Sequence, residues 1–133
     1  MSGQRNRLKD YNISNHRYME LYHYCMQYNE WKEMLARMES GLGSASAEQT
    51  TAGNVKTDKI ANIAIKRAEL DAKCKLIEQT AEETDRSLKE YILAAVTRGD
   101  TYNYLSTVKG MPCGRALYYK LRRKFYYLLS KKI

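Results

Sequence analysis

Proline occurs once in this 133-residue chain and glycine seven times. Proline removes an amide donor and glycine loosens the backbone, so their scarcity leaves long stretches free to continue as one kind of element. Lys, Glu, Ala, Leu, Met and Arg are common in those stretches, which predicts an all-α fold and argues against a strand-rich one. Cysteine is also sparse. Cys25, Cys74 and Cys113 are far apart, odd in number and in no CxxC arrangement, a usage that fits a reducing cytosol. No window approaches 18 consecutive apolar residues, which excludes a spanning helix. The amino-terminal MSGQRNRLKD has basic residues with no apolar run behind them and does not read as a signal peptide. A soluble, cytoplasmic protein with one modest core, or one small domain with a helical appendage, is expected.

Chemistry-bearing clusters are missing too. There is no GxxxxGK[ST] or GxGxxG stretch to cradle phosphate. His16 and His23 stand seven apart, and His23 and Cys25 fall on different faces of a helix, so no metal-ligand set forms around them. Glu82 and Glu83 are adjacent and therefore splayed rather than paired for acid–base work. Cys113 next to Arg115 has no base in sequence reach and reads as a turn residue. Neither an enzyme nor a metal or cofactor protein is expected.

The most informative absence is acidic. Residues 101–133 contain eight Lys or Arg and no Asp or Glu, whereas residues 1–100 hold fifteen of each sign, so the formal net charge of +8 lies in the last quarter. Such a tail calls for a polyanion, nucleic acid ahead of anionic lipid or an acidic protein. A solvated basic helix is the plain alternative.

Apolar spacing divides the chain. From about Asn12 to Ser40, Tyr18, Leu21, Cys25, Tyr28 and Leu35, widened by Tyr22, Trp31, Met34 and Met38, predict one helix with a broad buried face. Residues 41–56, GLGSASAEQTTAGNVK, are small, polar and aperiodic and read as a flexible loop. From Thr57 or Asp58 as a cap, Ile60, Ile63, Arg67, Leu70, Cys74, Ile77, Ala81 and Thr84 follow a heptad seam. The seam asks for a partner helix, either residues 12–40 folding back as a hairpin or a second chain, and a hairpin that also self-associates is the expectation. Residues 1–84 thus form a helical, coiled-coil-like packing and oligomerisation unit, and residues 85–133 a second one.

In that second unit, Asp85 is an N-cap candidate for a helix whose face is Leu88, Tyr91, Ile92, Ala95 and Val96 and whose left-handed stop is Gly99. Arg98 complements that helix's dipole. Asp100 or Thr101 caps a short helix to Lys109, and a last helix runs from about Cys113 to Lys131 with Pro112 at its first turn. A short helix, a glycine turn and a longer basic helix is the arrangement of a helix-turn-helix, with Leu105 inward, Ser106 at the close approach, and Gly110, Met111, Pro112 and Gly114 making the turn. An inward stripe of Leu117, Leu121, Phe125 and Leu128 leaves Arg115, Tyr118, Tyr119, Arg122 and Arg123 to read base edges. Lys109, Lys120, Lys124, Lys131 and Lys132 then contact phosphates. In the alternative rotation Ala116 and Tyr119 point inward. Tyr126 and Tyr127 are expected to pack against the helix that begins near Asp85, with a place in the interface as the alternative.

The stretch GMPCGRALYYKLRRKFYYLL resembles the carboxyl-terminal helix-turn-helix of small prophage-encoded proteins of Gram-positive bacteria related to the RinA and ArpU phage transcriptional regulators. It is also similar to region four of bacterial sigma factors, with a G, I or M, P, x, G turn before the recognition helix. AIKRAEL, LIEQTA and YILAAVTRGDTYNYL extend the likeness over roughly residues 64–130. The resemblance implies sequence-specific binding of double-stranded DNA in a bacterial host, regulation of phage gene transcription, and Arg115, Tyr118, Tyr119, Arg122 and Arg123 on the recognition helix. Sigma region four also binds RNA polymerase. Residues 41–59 depart from those proteins, which carry a proline-bearing loop there. Two competing readings remain: a small-terminase-like DNA-packaging subunit, and a helical protein-binding adaptor or inhibitor that uses the seam alone.

Overall fold

The computed structural model describes residues 11–40 and 53–133. The amino-terminal decapeptide and most of the expected 41–56 loop therefore lie outside the described residues. Six α-helices and no strand are found among those described: α1 (Asn15–Met26), α2 (Tyr28–Glu39), α3 (Gly53–Thr84), α4 (Lys89–Arg98), α5 (Tyr102–Thr107) and α6 (Arg115–Ser130). The all-α expectation holds.

Two compact units emerge among the described residues, one combining residues 11–27 with Ile77–Ile133, the other combining residues 28–40 with 53–76. This differs from a division at residue 84. The reason is burial: α1 packs on α4 and α6, and Ile77, Ala81 and Thr84 at the end of α3 are buried.

In the first unit, Ser14 starts α1 by accepting the Arg17 N–H on its hydroxyl at 3.1 Å. The single helix expected over residues 12–40 is broken at Gln27. Its backbone N–H bonds Tyr24 O, three residues back, while its side-chain amide takes the His23 carbonyl that a continuous helix would have used. Asp85 accepts the Leu88 N–H at 3.0 Å and the Ser87 hydroxyl at 2.7 Å. It thus organises the turn before α4, whose own N-cap position is Leu88. The Ser87 bond, assisted by the Leu88 amide and the charge of Lys124, holds the Asp85 carboxyl below its ordinary pKa.

Leu88, Ile92, Ala95 and Val96 bury the inner side of α4, and Gly99 ends it in the left-handed conformation at φ +72°. Thr101 caps α5 by accepting from the Tyr104 N–H at 3.1 Å. After α5 the chain turns through Gly110 at φ +71°. Met111, 6% exposed, seals the turn from below, and its N–H bonds Leu105 O at 2.9 Å. Pro112 and Cys113 precede α6, which starts at Arg115 with extended Gly114 at its N-cap.

On α6 the buried positions are Tyr118, Leu121, Phe125, Tyr126 and Leu129. This corrects the expected stripe, because Leu117 is 43% exposed and Leu128 is only half-buried. The alternative rotation fails as well, since Ala116 and Tyr119 are exposed. Tyrosine replaces leucine at position 118 of the core because its hydroxyl has a partner there: it donates to the Asp100 carbonyl at 3.3 Å.

In the second unit, α3 begins at Gly53, so Thr57 and Asp58 lie within the helix rather than capping it. Arg67 pairs with Glu39 at 3.6 Å and Lys73 lies 5.2 Å over the Trp31 ring, so α2 and this part of α3 run side by side in opposite directions. Tyr28, Trp31, Leu35, Leu70 and Cys74 are buried, whereas Ile60 at the amino-terminal end of the seam is 52% exposed.

Gly110 has no atom within 4 Å of where a Cβ would stand, so Gly110→Ala carries only backbone strain. Urea denaturation should show a loss of about 1–2 kcal/mol. Burial pushes the Cys25 thiol from 9.0 up to about 12. The folded chain therefore keeps a proton that the unfolded chain loses, and the stability this contributes is complete below pH 9 and disappears as pH rises toward 12. Thiol labelling of the native protein at pH 8 should modify half-buried Cys113 first, with Cys25 and Cys74 reacting only on unfolding.

Candidate functional site

The three-four period of α6 places Ala116, Tyr119, Lys120 and Arg123 on its outward side, with half-buried Tyr127 one turn further. No acid occurs on α5, on α6 or in the turn between them. The carboxylates nearby are matched elsewhere: Asp100 with Arg98 at 3.2 Å, Glu83 with Lys132 at 2.8 Å, and Glu82 with Lys89 at 3.2 Å. Asp85 faces Lys124, so the positive surface that persists on α6 is its outward side, at Lys120 and Arg123.

The five residues expected to read bases fall into three groups. Tyr119 and Arg123 are exposed on the outward side, and Arg123 has no hydrogen bond or ion pair to another described residue. Arg115 is exposed at the amino end of α6 but held, its Nη2 donating to Asn103 Oδ1 at 2.9 Å and its guanidinium lying 4.6 Å over the Tyr102 ring. Tyr118 and Arg122 face inward. Tyr118 is 4% exposed and packs 5.4 Å from Tyr102, and burial raises its hydroxyl pKa. It is a core residue rather than a base reader.

Arg122 is half-buried, donating to the Tyr18 hydroxyl at 3.2 Å with the Tyr118 and Tyr119 rings each 5.9 Å away. Burial disfavours its charge, but the oxygens of Tyr118, Tyr18 and Tyr126 outweigh that cost and hold its pKa above the ordinary guanidinium value. The charge stays, without a carboxylate to balance it.

Of the five lysines expected at phosphates, Lys109, Lys120 and Lys131 are exposed, with Lys109 over Tyr104 and Lys131 over Tyr127. Lys124 is half-buried. Lys132 is engaged internally, bonding Glu83 Oε1 at 2.8 Å and Thr80 Oγ1 at 3.0 Å, so its charge serves the fold. Tyr126 is 2% exposed and meets Tyr18 of α1 edge-on at 5.0 Å, and Tyr127 meets Tyr11 at 5.6 Å. Both contacts are with residues amino-terminal to α2.

Arg17 and Tyr18 were not foreseen as supports of this surface. Arg17 donates to the Ser130 carbonyl at 3.2 Å, tying down the last turn of α6, and Tyr18 fixes Arg122. Spacing marks Tyr18 as apolar and cannot reveal a partner 104 residues away. Tyr102 and Asn103, which orient Arg115, carry no motif either.

His16 and His23 are exposed, and the described residues hold no group of three or more His, Cys, Asp or Glu that could bind a metal. No helix among the described residues is long and apolar enough to cross a membrane. No protein family, curated protein or solved structure matches the chain.

Tyr118→Phe keeps the ring and removes the bond to Asp100 O. It should lower stability by about 1 kcal/mol in urea denaturation, while Tyr118→Ala costs about 3–5 kcal/mol by leaving a cavity.

Proposed function

We propose that this protein binds double-stranded DNA sequence-specifically and regulates phage or prophage transcription, with α5, the glycine turn and α6 acting as a helix-turn-helix and α6 as the recognition helix. The observation that carries this reading is the acid-free outward side of α6, where Tyr119, Lys120 and Arg123 follow one another on a helix introduced by the Gly110 turn. A helix of this width enters the major groove, and small Ala116 between the larger side chains lets its backbone approach the bases.

In this reading Arg123 and Arg115 reach guanine edges, Tyr119 makes apolar contact, and Lys109, Lys120, Lys124 and Lys131 hold phosphates. Tyr118, Arg122 and Lys132 support the helix from within. Self-association through α2 and α3 accompanies DNA binding, since Ile60 and Ile65, at 52% and 58% exposure, leave apolar surface open.

The test is a salt titration of the full chain on a pool of random duplexes, with sequencing of the retained fraction. A short enriched motif and affinity falling steeply with salt are expected, with each phosphate contact adding about −0.9 to the log–log slope. Arg123→Ala should relax preference at one base pair by about 1–3 kcal/mol, and Lys120→Ala should weaken all sequences alike and flatten the slope by about one. Absence of binding at low salt overturns the reading and leaves the open apolar end of α3, and a protein partner, as the place to look.

A further inference from the structure

Where the start of α1 meets the flank of α6 between its buried and outward sides lies a cavity of about 500 Å³, whose lining includes Asn12, Asn15 and Tyr18 on one side and Tyr119, Arg122 and Arg123 on the other. Its volume falls within the ~300–1,000 Å³ common for small-molecule sites. Three features define what fits.

The lining holds two guanidinium groups and no acid. Arg123 is uncommitted among the described residues. Arg122 is half-buried and its partners are the neutral hydroxyls of Tyr18, Tyr118 and Tyr126, so its charge reaches the cavity with no carboxylate to balance it. Planar, forked donors of this kind match a phosphate.

The walls are aromatic. Tyr119 is 39% exposed and Tyr18 half-buried, so ring surface is available for stacking on a flat ligand. Asn12 and Asn15 are both exposed and add amides that carry a donor and an acceptor side by side, the pattern that pairs with a nucleobase edge.

We propose that this cavity binds a nucleoside monophosphate, with the phosphate held by Arg122 and Arg123, the base against Tyr119, and the base edge met by the Asn12 and Asn15 amides. Inorganic phosphate leaves the aromatic walls unused, and an uncharged nucleoside leaves the guanidinium groups unmatched. Tyr119 and Arg123 also belong to the proposed DNA-facing side, so a bound nucleotide competes with DNA; that consequence, unlike the site, rests on the DNA-binding reading. The phosphorylated end of a strand presents the same chemistry as a free nucleotide, and the two are told apart by titration.

Calorimetric titration of the full chain with AMP, GMP, CMP and UMP tests the site, with adenosine and inorganic phosphate alongside. At least one nucleotide is expected to bind about tenfold or more tighter than either fragment. Arg123→Ala, at an exposed position without a partner among the described residues, should weaken it about tenfold with an unchanged unfolding midpoint, Tyr119→Ala should weaken it about tenfold by removing the stacking ring, and Arg122→Lys should weaken it by losing the fork. No binding by any of the four at millimolar concentration, or equal binding by Arg123→Ala, overturns the site. Tighter binding of a 5′-phosphorylated trinucleotide than of the mononucleotides overturns the free-nucleotide assignment. Arg115→Ala and Lys120→Ala lie outside the cavity, so loss of DNA binding in these variants with nucleotide binding intact separates the two readings.

Discussion

The buried side of α6 sets the terms for the rest of the first unit. Tyr118, Leu121, Phe125, Tyr126 and Leu129 leave water only where α1 and α4 cover them, and α1 comes from the opposite end of the chain. Phe125 and Leu129 are fully buried, and removing the Phe125 ring from a closed core costs about 3–5 kcal/mol. Arg17 and Tyr18 then lock the covering helix in register, one on the last turn of α6 and the other on Arg122. The rotation of α6, and with it the choice of residues left facing outward, follows from this cover.

Tyrosine is the currency of that packing. The chain has twelve tyrosines and a single phenylalanine, so its aromatic core carries hydroxyl groups that must find partners. Tyr118 finds the Asp100 carbonyl, Tyr102 the Cys113 carbonyl at 3.2 Å, and Tyr18 the Arg122 guanidinium. These bonds explain how a basic helix packs without acids. Phenolic oxygens and ring faces stabilise Arg122 where a carboxylate would have neutralised it. Charge is thereby sorted, with Arg122 and Lys132 turned to the fold and Lys120 and Arg123 left to solvent.

The links between the helices work by backbone conformation. Gly99 and Gly110 both adopt positive φ, and they bracket α5, so a helix of only six residues is held at each end by a sharp change of direction that other residues resist. Met111 closes the second turn from beneath. The surface formed by the start of α6 and Asn103 of α5 depends on this arrangement, since Arg115 is oriented by Tyr102 and Asn103.

Local chemistry was legible in the residues: the all-α class from the shortage of proline and glycine, the glycine stops at 99 and 110, the buried Leu105, and the acid-free final segment. Each depends on neighbours a few positions away. The buried half of the seam, from Leu70 to Thr84, was legible for the same reason. What tertiary structure alone decided was the break at Gln27, the pairing of the amino-terminal helix with the last one, and the inward turn of Tyr118 and Arg122. Hydrophobic spacing ranks leucine above tyrosine and so placed Leu117 inward, but a tyrosine whose hydroxyl reaches a carbonyl buries as well as a leucine. Whether that carbonyl is present depends on where Asp100 comes to lie, and periodicity along one helix carries no information about the backbone of another.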